Sequence, residues 1–183
     1  SIAQVYGATL HSGDSVVVKV LRPGIRQAVM ADIHLMSAVA HYVTRRLSQG
    51  TQLKLPDLVE ELSHSLHDEL DLICEAANAS TFKRLFPHEK PLKVPDIYWD
   101  YTTHEVMVMS RIAGVRVTDL AQLKSRGVAL DKLAVLGLEL FFEQVFEKGF
   151  FHADMHGGNV FVNVDTPDDP SFICVDFGIM GSL

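Results

Sequence analysis

The feature that most constrains this chain is a polar octapeptide followed at a fixed distance by a second acidic motif. Residues 152–159 read His-Ala-Asp-Met-His-Gly-Gly-Asn, and Asp176-Phe177-Gly178 begins seventeen residues after Asn159. Apolar, β-branched segments between the motifs predict short strands at Val160 to Val164 and Phe172 to Val175. The sequence therefore predicts polar loops that are fixed in position by short strands.

These loops carry the residue types that phosphoryl transfer requires. That reaction needs one carboxylate near the attacking oxygen and separate oxygen ligands that hold Mg²⁺ against the phosphates. Asp154, Asn159 and Asp176 meet that need. An Asp followed five residues later by Asn, and then Asp-Phe-Gly after the next strand, is the order of the catalytic and metal loops in protein kinases.

A different enzyme class uses some of the same residues. His152, Asp154 and His156 could bind a transition metal in a hydrolase, since imidazole and carboxylate groups are ligands of Zn²⁺ and Fe. This hypothesis gives Lys19 and Asp176 no role, so the phosphoryl-transfer interpretation is favoured.

Lys19 interrupts an apolar run, because it directly follows Val16-Val17-Val18. A lysine on a core strand must either extend to water or find anionic partners. In a kinase such a lysine binds the α- and β-phosphates and pairs with a helix carboxylate. The carboxylate candidates lie on a following helix: Asp68, Glu69, Asp71 and Glu75.

Hydrophobic periodicity and turn residues predict an α+β protein with a sheet-rich first half and a helical second half. A hairpin is predicted from Ile2–Leu10 and Ser15–Leu21, and two further strands are predicted at Ile97–Tyr101 and Glu105–Ile112. The predicted helices run from Ile25 to Leu47, from Pro56 towards Phe82, from Thr118 to Lys124 and from Asp131 to Lys148.

Composition excludes several other classes. A formal net charge of −7 disfavours nucleic acid as a partner, because such binding needs clustered cations. Two cysteines do not make a disulfide scaffold, so a reducing compartment is expected. The chain has no run of eighteen apolar residues that would predict a membrane-spanning helix.

Several motifs, in order along the chain, resemble the UbiB/ADCK family of atypical kinases, and especially its bacterial members. They are the segments 1–5, 18–25, 69–71, 75–78, 150–159 and 175–183. The resemblance implies an incomplete protein-kinase-like fold, with residues 1–112 as the N-terminal lobe and 113–183 as the start of the C-terminal lobe.

Residue roles follow from this resemblance. It implies that Lys19 pairs with Glu69 of a Glu-x-Asp motif, that Asp154 is the catalytic-loop carboxylate, and that Asn159 and Asp176 bind Mg²⁺. A hinge that meets adenine through its backbone would lie near Met109 to Ile112. Gly157 stands where relatives more often have proline, which should loosen the loop.

The resemblance also implies an ATP-binding, Mg²⁺-dependent kinase or ATPase that supports ubiquinone biosynthesis. The expected partners are ATP, lipid or quinone precursors, ubiquinone-biosynthesis proteins and possibly a second copy of the chain. The expected location is the cytoplasmic face of a bacterial inner membrane, reached through segments outside this chain. Since parts of the family pattern are absent at both ends, we expect this polypeptide alone to be poorly stable and largely inactive. A non-catalytic nucleotide-binding module remains the alternative.

Overall fold

The computed structural model describes residues 2–46, 54–87 and 90–183. It opens with an antiparallel hairpin of β1 (Ala3–Thr9) and β2 (Ser15–Leu21), whose turn includes Gly13 at a φ of 94°. Strand β4 (Val106–Ser110) pairs with the other edge of β2, so the order in this sheet is β1-β2-β4. The strand that carries Lys19 is therefore held on both sides.

Three helices lie between β2 and β4 in sequence. Helices α1 (Ile25–Arg46) and α2 (Leu55–Glu69) pack against each other, and α3 (Leu72–Leu85) follows directly. Pro56 lies in the first turn of α2, where its missing N–H costs no hydrogen bond. The single helix predicted from Pro56 towards Phe82 is wrong, because Asp71 has an extended backbone and caps a new helix.

The second half of the chain contains more strands than predicted. A four-stranded sheet has the order β3-β8-β7-β5, and a separate pair joins β6 to β9. The bounds are β3 Leu92–Lys93, β5 Val115–Arg116, β6 Phe150–His152, β7 Val160–Asn163, β8 Ser171–Cys174 and β9 Met180–Ser182. Strands β7 and β8 agree with the predicted pair to within one residue at each end.

Two helices complete the second half: α4 (Leu120–Ser125) and α5 (Leu130–Phe142), which continues as a π-helical turn at Glu143–Glu147. Residues 97–101 are not the predicted strand, since Ile97 forms only an isolated bridge to Met109 and Trp99–Tyr101 is a 3₁₀ turn. The sheet-rich first half and helical second half were thus wrong, whereas the α+β class is confirmed.

Two apolar clusters form the core, and α3 contacts both. Leu72 and Ala76 pack with Met107 and Met109 beneath the first sheet. One turn further along, α3 contributes Ala79 and Phe82 to the larger cluster around the second sheet. The α3 helix consequently connects the strand that carries Lys19 to the segment that carries Asp176.

No helix among the described residues is both long and apolar enough to span a bilayer.

Candidate active site

Lys19 forms the centre of a three-residue ionic cluster. Its Nζ atom lies 2.7 and 2.8 Å from the two carboxylate oxygens of Glu75 and 3.2 Å from Oδ2 of Asp176. Strand register places Lys19 between Val5 of β1 and Met107 of β4, so its backbone is fixed in the middle of the sheet. The ammonium group therefore has anionic partners and does not extend to bulk water.

The charges in this cluster shift one another. Burial by itself lowers the pKa of Lys19, but the carboxylates of Glu75 and Asp176 outweigh burial, so this pKa is raised. Burial likewise opposes ionisation of Asp176, yet Lys19 and the Gly178 N–H hold the pKa of Asp176 below its usual value. Lys19 and Asp176 are both held in their charged forms at neutral pH.

Glu69, which the sequence resemblance paired with Lys19, does not form that pair. It is the last residue of α2, whereas Glu75 lies in the first turn of α3 with its side chain 5% exposed. The bend at Leu70 and Asp71 separates the two glutamates onto different helices. Glu69 still lines the cleft, and burial followed by the charges of Asp176 and Asp154 raises its pKa.

The Asp176-Phe177 segment is anchored by α3 as well. Asn78 Nδ2, one turn beyond Glu75, donates to the carbonyl oxygen of Phe177 at 3.0 Å. The Phe177 ring is 1% exposed and lies 5.6 Å from the Phe82 ring. Sequence reasoning assigned Asn78 no role, although its place one turn after Glu75 puts the two side chains on the same face of a helix.

The catalytic-loop residues converge through short-range contacts. Asn159 Nδ2 lies 3.2 Å from the carbonyl oxygen of Asp154 and 3.3 Å from its Oδ2 atom. Because the amide nitrogen of Asn159 makes both of these hydrogen bonds, its amide oxygen is the atom left to coordinate a cation. Asp154 is 45% exposed, so its carboxylate can reach a ligand in the cleft.

The β7–β8 ladder explains why Asn159 and Asp176 come together. Val160 pairs with Cys174 in antiparallel register, and the Val175 N–H donates to the Asn159 carbonyl oxygen at 3.2 Å. Asn159 therefore precedes β7 and Asp176 follows β8 at the same end of this ladder. Both residues supply oxygen atoms, which are the ligands that Mg²⁺ prefers.

One cavity of about 330 Å³ lies among the charged side chains of the site. Its walls carry the side chains of Lys19, Glu69, Glu75, Asp154 and Asp176. Four carboxylates thus share the cleft with one ammonium group. A divalent cation would relieve the repulsion between the carboxylates, so the residues present fit Mg²⁺.

The transition-metal alternative has no comparable geometry. His152 Nδ1 accepts the Asp154 N–H at 3.2 Å, which occupies one of its two ring nitrogens. The Nε2 atom of His156 lies 3.6 Å from Asp154 Oδ2, and its Nδ1 atom accepts the Gly158 N–H at 3.0 Å. Across residues 2–46, 54–87 and 90–183, no three His, Cys, Asp or Glu side chains are grouped to hold a metal ion, which a His/Asp/His site requires; the Mg²⁺ hypothesis requires only Asp176 of these residue types, with Asn159 beside it.

The two residues predicted to form a hinge, Met109 and Ile112, differ in their surroundings. Met109 is buried in β4, opposite Val17 of β2, and packs in the smaller apolar cluster. Ile112 follows β4 and is half-buried, and within the described part of the chain its backbone forms no hydrogen bond. The backbone of Ile112 is thus the freer of the two to meet a ligand.

Comparison with known proteins places this geometry in context. A sequence profile described as the ABC1 atypical kinase-like domain matches residues 1–183. Proteins named probable protein kinase UbiB, from Marinobacter nauticus and Azotobacter vinelandii, are each 48% identical to the whole of this chain. The chain covers 34% of each, so it spans about a third of their length.

A solved structure shares the fold. It is titled the complex structure of Rv3197-erythromycin from Mycobacterium tuberculosis, and it is 28% identical to this chain with a TM-score of 0.78. The likeness covers 100% of this chain and 44% of the Rv3197 chain.

Proposed function

Because this chain belongs to the ABC1 atypical kinase-like family, as its sequence predicted, we propose that it is the Mg²⁺-ATP-binding core of an atypical kinase or ATPase that supports ubiquinone biosynthesis. The observation that carries this proposal is the bond from Lys19 to both Glu75 oxygens and to Asp176 at a single cleft. These contacts fix the position of the Lys19 ammonium group at the cleft, where it is oriented for an anionic partner.

In this mechanism Lys19 binds the α- and β-phosphates, and Glu75 rather than Glu69 orients it. Asp154 orients the attacking oxygen, and Asn159 with Asp176 would hold Mg²⁺. The metal supplies positive charge that neutralises the phosphate oxygens as charge develops on them. The backbone near Met109 and Ile112 meets the adenine ring.

The attacking oxygen can belong to water or to an acceptor hydroxyl, which separates an ATPase from a kinase. Asp154 is suited to either, because it lies in hydrogen-bonding range of Asn159 and is open to the cleft. We further propose that the full-length protein acts with lipid or quinone precursors at the cytoplasmic face of a bacterial inner membrane, alone or as a homodimer. This proposal rests on the relatives named UbiB.

Binding and turnover of the full-length protein test the site. Asp176→Asn should weaken Mg²⁺-ATP binding by about ten-fold or more, since it removes a charged ligand. Asp154→Asn should leave nucleotide affinity nearly unchanged and lower turnover by about 10²- to 10⁴-fold. Lys19→Ala should impair both quantities, and His156→Ala should be milder than any of them. Isothermal titration and ATP turnover measure these effects, with the exposed Asp165→Asn as the matched control.

Two results would redirect the proposal. If all variants bind Mg²⁺-ATP and the wild type shows no turnover, the chain is the core of a non-catalytic nucleotide-binding module. If His156→Ala abolishes metal binding while Lys19→Ala and Asp176→Asn behave like wild type, the site belongs to a metal-dependent hydrolase.

The cellular role has its own test. Deletion of the gene should lower ubiquinone levels measured in lipid extracts, and the wild-type gene should restore them. Unchanged quinone levels in the deletion strain would contradict the biosynthetic role without affecting the nucleotide site.

A further inference from the structure

A short turn at residues 103–105 connects the two elements that carry Lys19 and Glu75. The Leu21 N–H, at the end of β2, donates to the carbonyl oxygen of Glu105 at 2.9 Å. The Leu72 N–H, at the start of α3, donates to the carbonyl oxygen of His104 at 3.1 Å. Two consecutive carbonyl groups of one turn thus fix the spacing between β2 and α3.

These contacts are close in sequence to the ionic pair. Leu21 lies two residues after Lys19 on the central strand, and Leu72 lies three residues before Glu75 on α3. A strand and a short helix segment move as rigid units over such distances. A displacement at the 103–105 turn would therefore change the distance between the Lys19 ammonium and the Glu75 carboxylate.

Side chains reinforce the same connection. Asp71 Oδ1 accepts the Ile73 N–H at 2.9 Å and caps α3, while Asp71 Oδ2 pairs with His104 Nδ1 at 2.8 Å. The Asp71 carbonyl oxygen also accepts the Glu75 N–H at 3.4 Å. One residue consequently contacts the turn, the helix start and Glu75 itself.

Other charged groups surround this contact. Arg26 of α1 donates to the Leu70 carbonyl oxygen at 2.6 Å, and Arg26, Glu105 and Thr103 line an open cleft together with Asp71 and His104. Partial burial raises the pKa of Asp71, but the hydrogen bonds from His104 and Ile73 outweigh it, and the pKa of this carboxyl is lowered. Asp71 is therefore an ionised acceptor for His104 at neutral pH.

We propose that the 103–105 turn and Asp71 form a clamp that positions α3, and that the His104–Asp71 contact thereby holds Glu75 against Lys19. His104 and Asp71 are positioning residues, since neither lines the cleft that Lys19 and Glu75 share, and Asp71 reaches Glu75 only through its backbone carbonyl oxygen. This inference assigns the control of the proposed nucleotide site to a surface at the C-terminal end of β2 and the N-terminal end of α3. It rests on the proposed function only in treating the cleft beside Lys19 as a nucleotide site.

The test measures the Lys19–Glu75 pair without nucleotide, in the full-length protein. A lysine whose ammonium group is no longer held in hydrogen bonds by a carboxylate is more accessible and reacts faster with an amine-modifying reagent. His104→Ala should raise the labelling rate of Lys19 about three-fold near pH 9, the effect expected for loss of one partly exposed contact. Mass spectrometry reports the rate for each lysine, and Lys124 of α4 is the internal reference.

Two further variants separate positioning from folding. Asp71→Ser keeps a helix-capping oxygen but cannot also reach His104, so it should raise Lys19 labelling as His104→Ala does. His104→Asn keeps a donor near the Nδ1 position and should restore the wild-type rate. The double variant Asp71→Ser, His104→Ala should show no additional increase, because both changes remove the same contact.

The controls are His64→Ala and Asp68→Asn, which alter exposed α2 side chains of the same types. Both should leave Lys19 labelling unchanged. If His104→Ala and Asp71→Ser leave it unchanged too, or raise Lys124 labelling equally, the clamp is wrong. Because labelling needs no ATP, this failure is distinct from a failure of the proposed function, which Mg²⁺-ATP titration of the wild type reports.

Discussion

The two halves of the candidate site differ in how firmly they are held. On the α3 side, Lys19 and Glu75 are 12% and 5% exposed, and both carboxylate oxygens contact the ammonium group. On the loop side, Asp154 and His156 are 45% and 59% exposed and lie 3.6 Å apart. The half that would bind phosphates is thus preformed, whereas the half that would meet an acceptor remains open to solvent.

This difference has a physical origin. A buried charge needs a fixed partner, because the desolvation penalty is large when the partner is removed. An exposed carboxylate is solvated by water and needs no such partner. The same acidic residue types can therefore have a structural role in one half of the site and a chemical role in the other.

The largest expected effect on stability comes from breaking the buried pair. Glu75→Gln keeps the side-chain shape but leaves Lys19 with only Asp176 as an ionic partner. The free energy of unfolding should fall by about 2 kcal/mol, the scale of a hydrogen bond to a charged group. Urea denaturation of the full-length protein measures this loss.

Glu69→Gln is the matched control for that change. Burial raises the pKa of both glutamates, but hydrogen bonds from Lys19 oppose that rise at Glu75, whereas the charges of Asp176 and Asp154 add to it at Glu69. Since Glu69 is also partly solvated, removing its charge should leave stability unchanged or raise it slightly. If Glu69→Gln destabilises the protein as much as Glu75→Gln, the two glutamates do not differ as the structure indicates.

A comparable loss of stability is expected at Gly114, which packs tightly against β7 and β8, the two strands that form the framework beneath the loops. A Cβ atom on Gly114 would lie 2.9 Å from Ile173 Cδ1 and 3.0 Å from the backbone oxygen of Val162. Gly114→Ala should therefore lower the free energy of unfolding by about 2 kcal/mol, a usual cost of overpacking. Thermal or urea denaturation reports the change.

Gly137→Ala in α5 is the control for added volume. Its Cβ atom would meet only the outer edge of the Phe172 ring, at 3.3 Å, and alanine favours a helix over glycine. Stability should be equal to or greater than that of wild type. Equal losses at Gly114 and Gly137 would contradict the difference in packing.

The pH dependence of stability should report the buried charge pair on the α3 side of the site. The pKa of Lys19 is raised above 10.5, so the stability from its pair is fully present below pH 10.5 and is lost as pH rises through the folded-state value. Wild type should consequently lose on the order of 1 kcal/mol relative to Lys19→Met at strongly alkaline pH. Denaturation of both proteins between pH 8 and 12 measures the difference, and parallel curves would contradict it.

The sequence predicted the α+β class and the two strands that hold the polar loops, but it did not predict which glutamate pairs with Lys19 or where the shortest strands lie. The spacing of Asp154, Asn159 and Asp176 located the loops because functional side chains at fixed intervals carry local information. Which of Glu69 and Glu75 pairs with Lys19 could be decided only from the structure. A single bend at Asp71 decides which glutamate faces Lys19, and helical periodicity continues across that bend without interruption.

The short strands were missed for a related reason. Strands β3 and β5 have two residues each, and their pairing with β8 and β7 is set by distant parts of the chain. Local pattern does not report such contacts. The predicted strand at residues 97–101 is wrong for a similar reason: aromatic residues favour strands, but the Tyr101 N–H donates to the Tyr98 carbonyl oxygen and closes a 3₁₀ turn.

The smallest expected effect concerns Gly157 in the open loop. A Cβ atom there would lie 2.2 Å from Cγ2 of Thr118, which is closer than any Cβ contact at Gly114. Thr118 is exposed, however, and its methyl group can rotate away, whereas the Val162 backbone cannot. Gly157→Ala should therefore cost less than about 1 kcal/mol, despite the shorter distance.

In a Thr118→Ser background the methyl group is absent, and Gly157→Ala should instead stabilise the protein by about 0.5 kcal/mol, because alanine restricts the unfolded chain. Urea denaturation of the four proteins in this cycle gives the sign. If Gly157→Ala costs as much as Gly114→Ala, and Thr118→Ser does not relieve it, then the loop is held as firmly as the framework and the two halves of the site do not differ in rigidity.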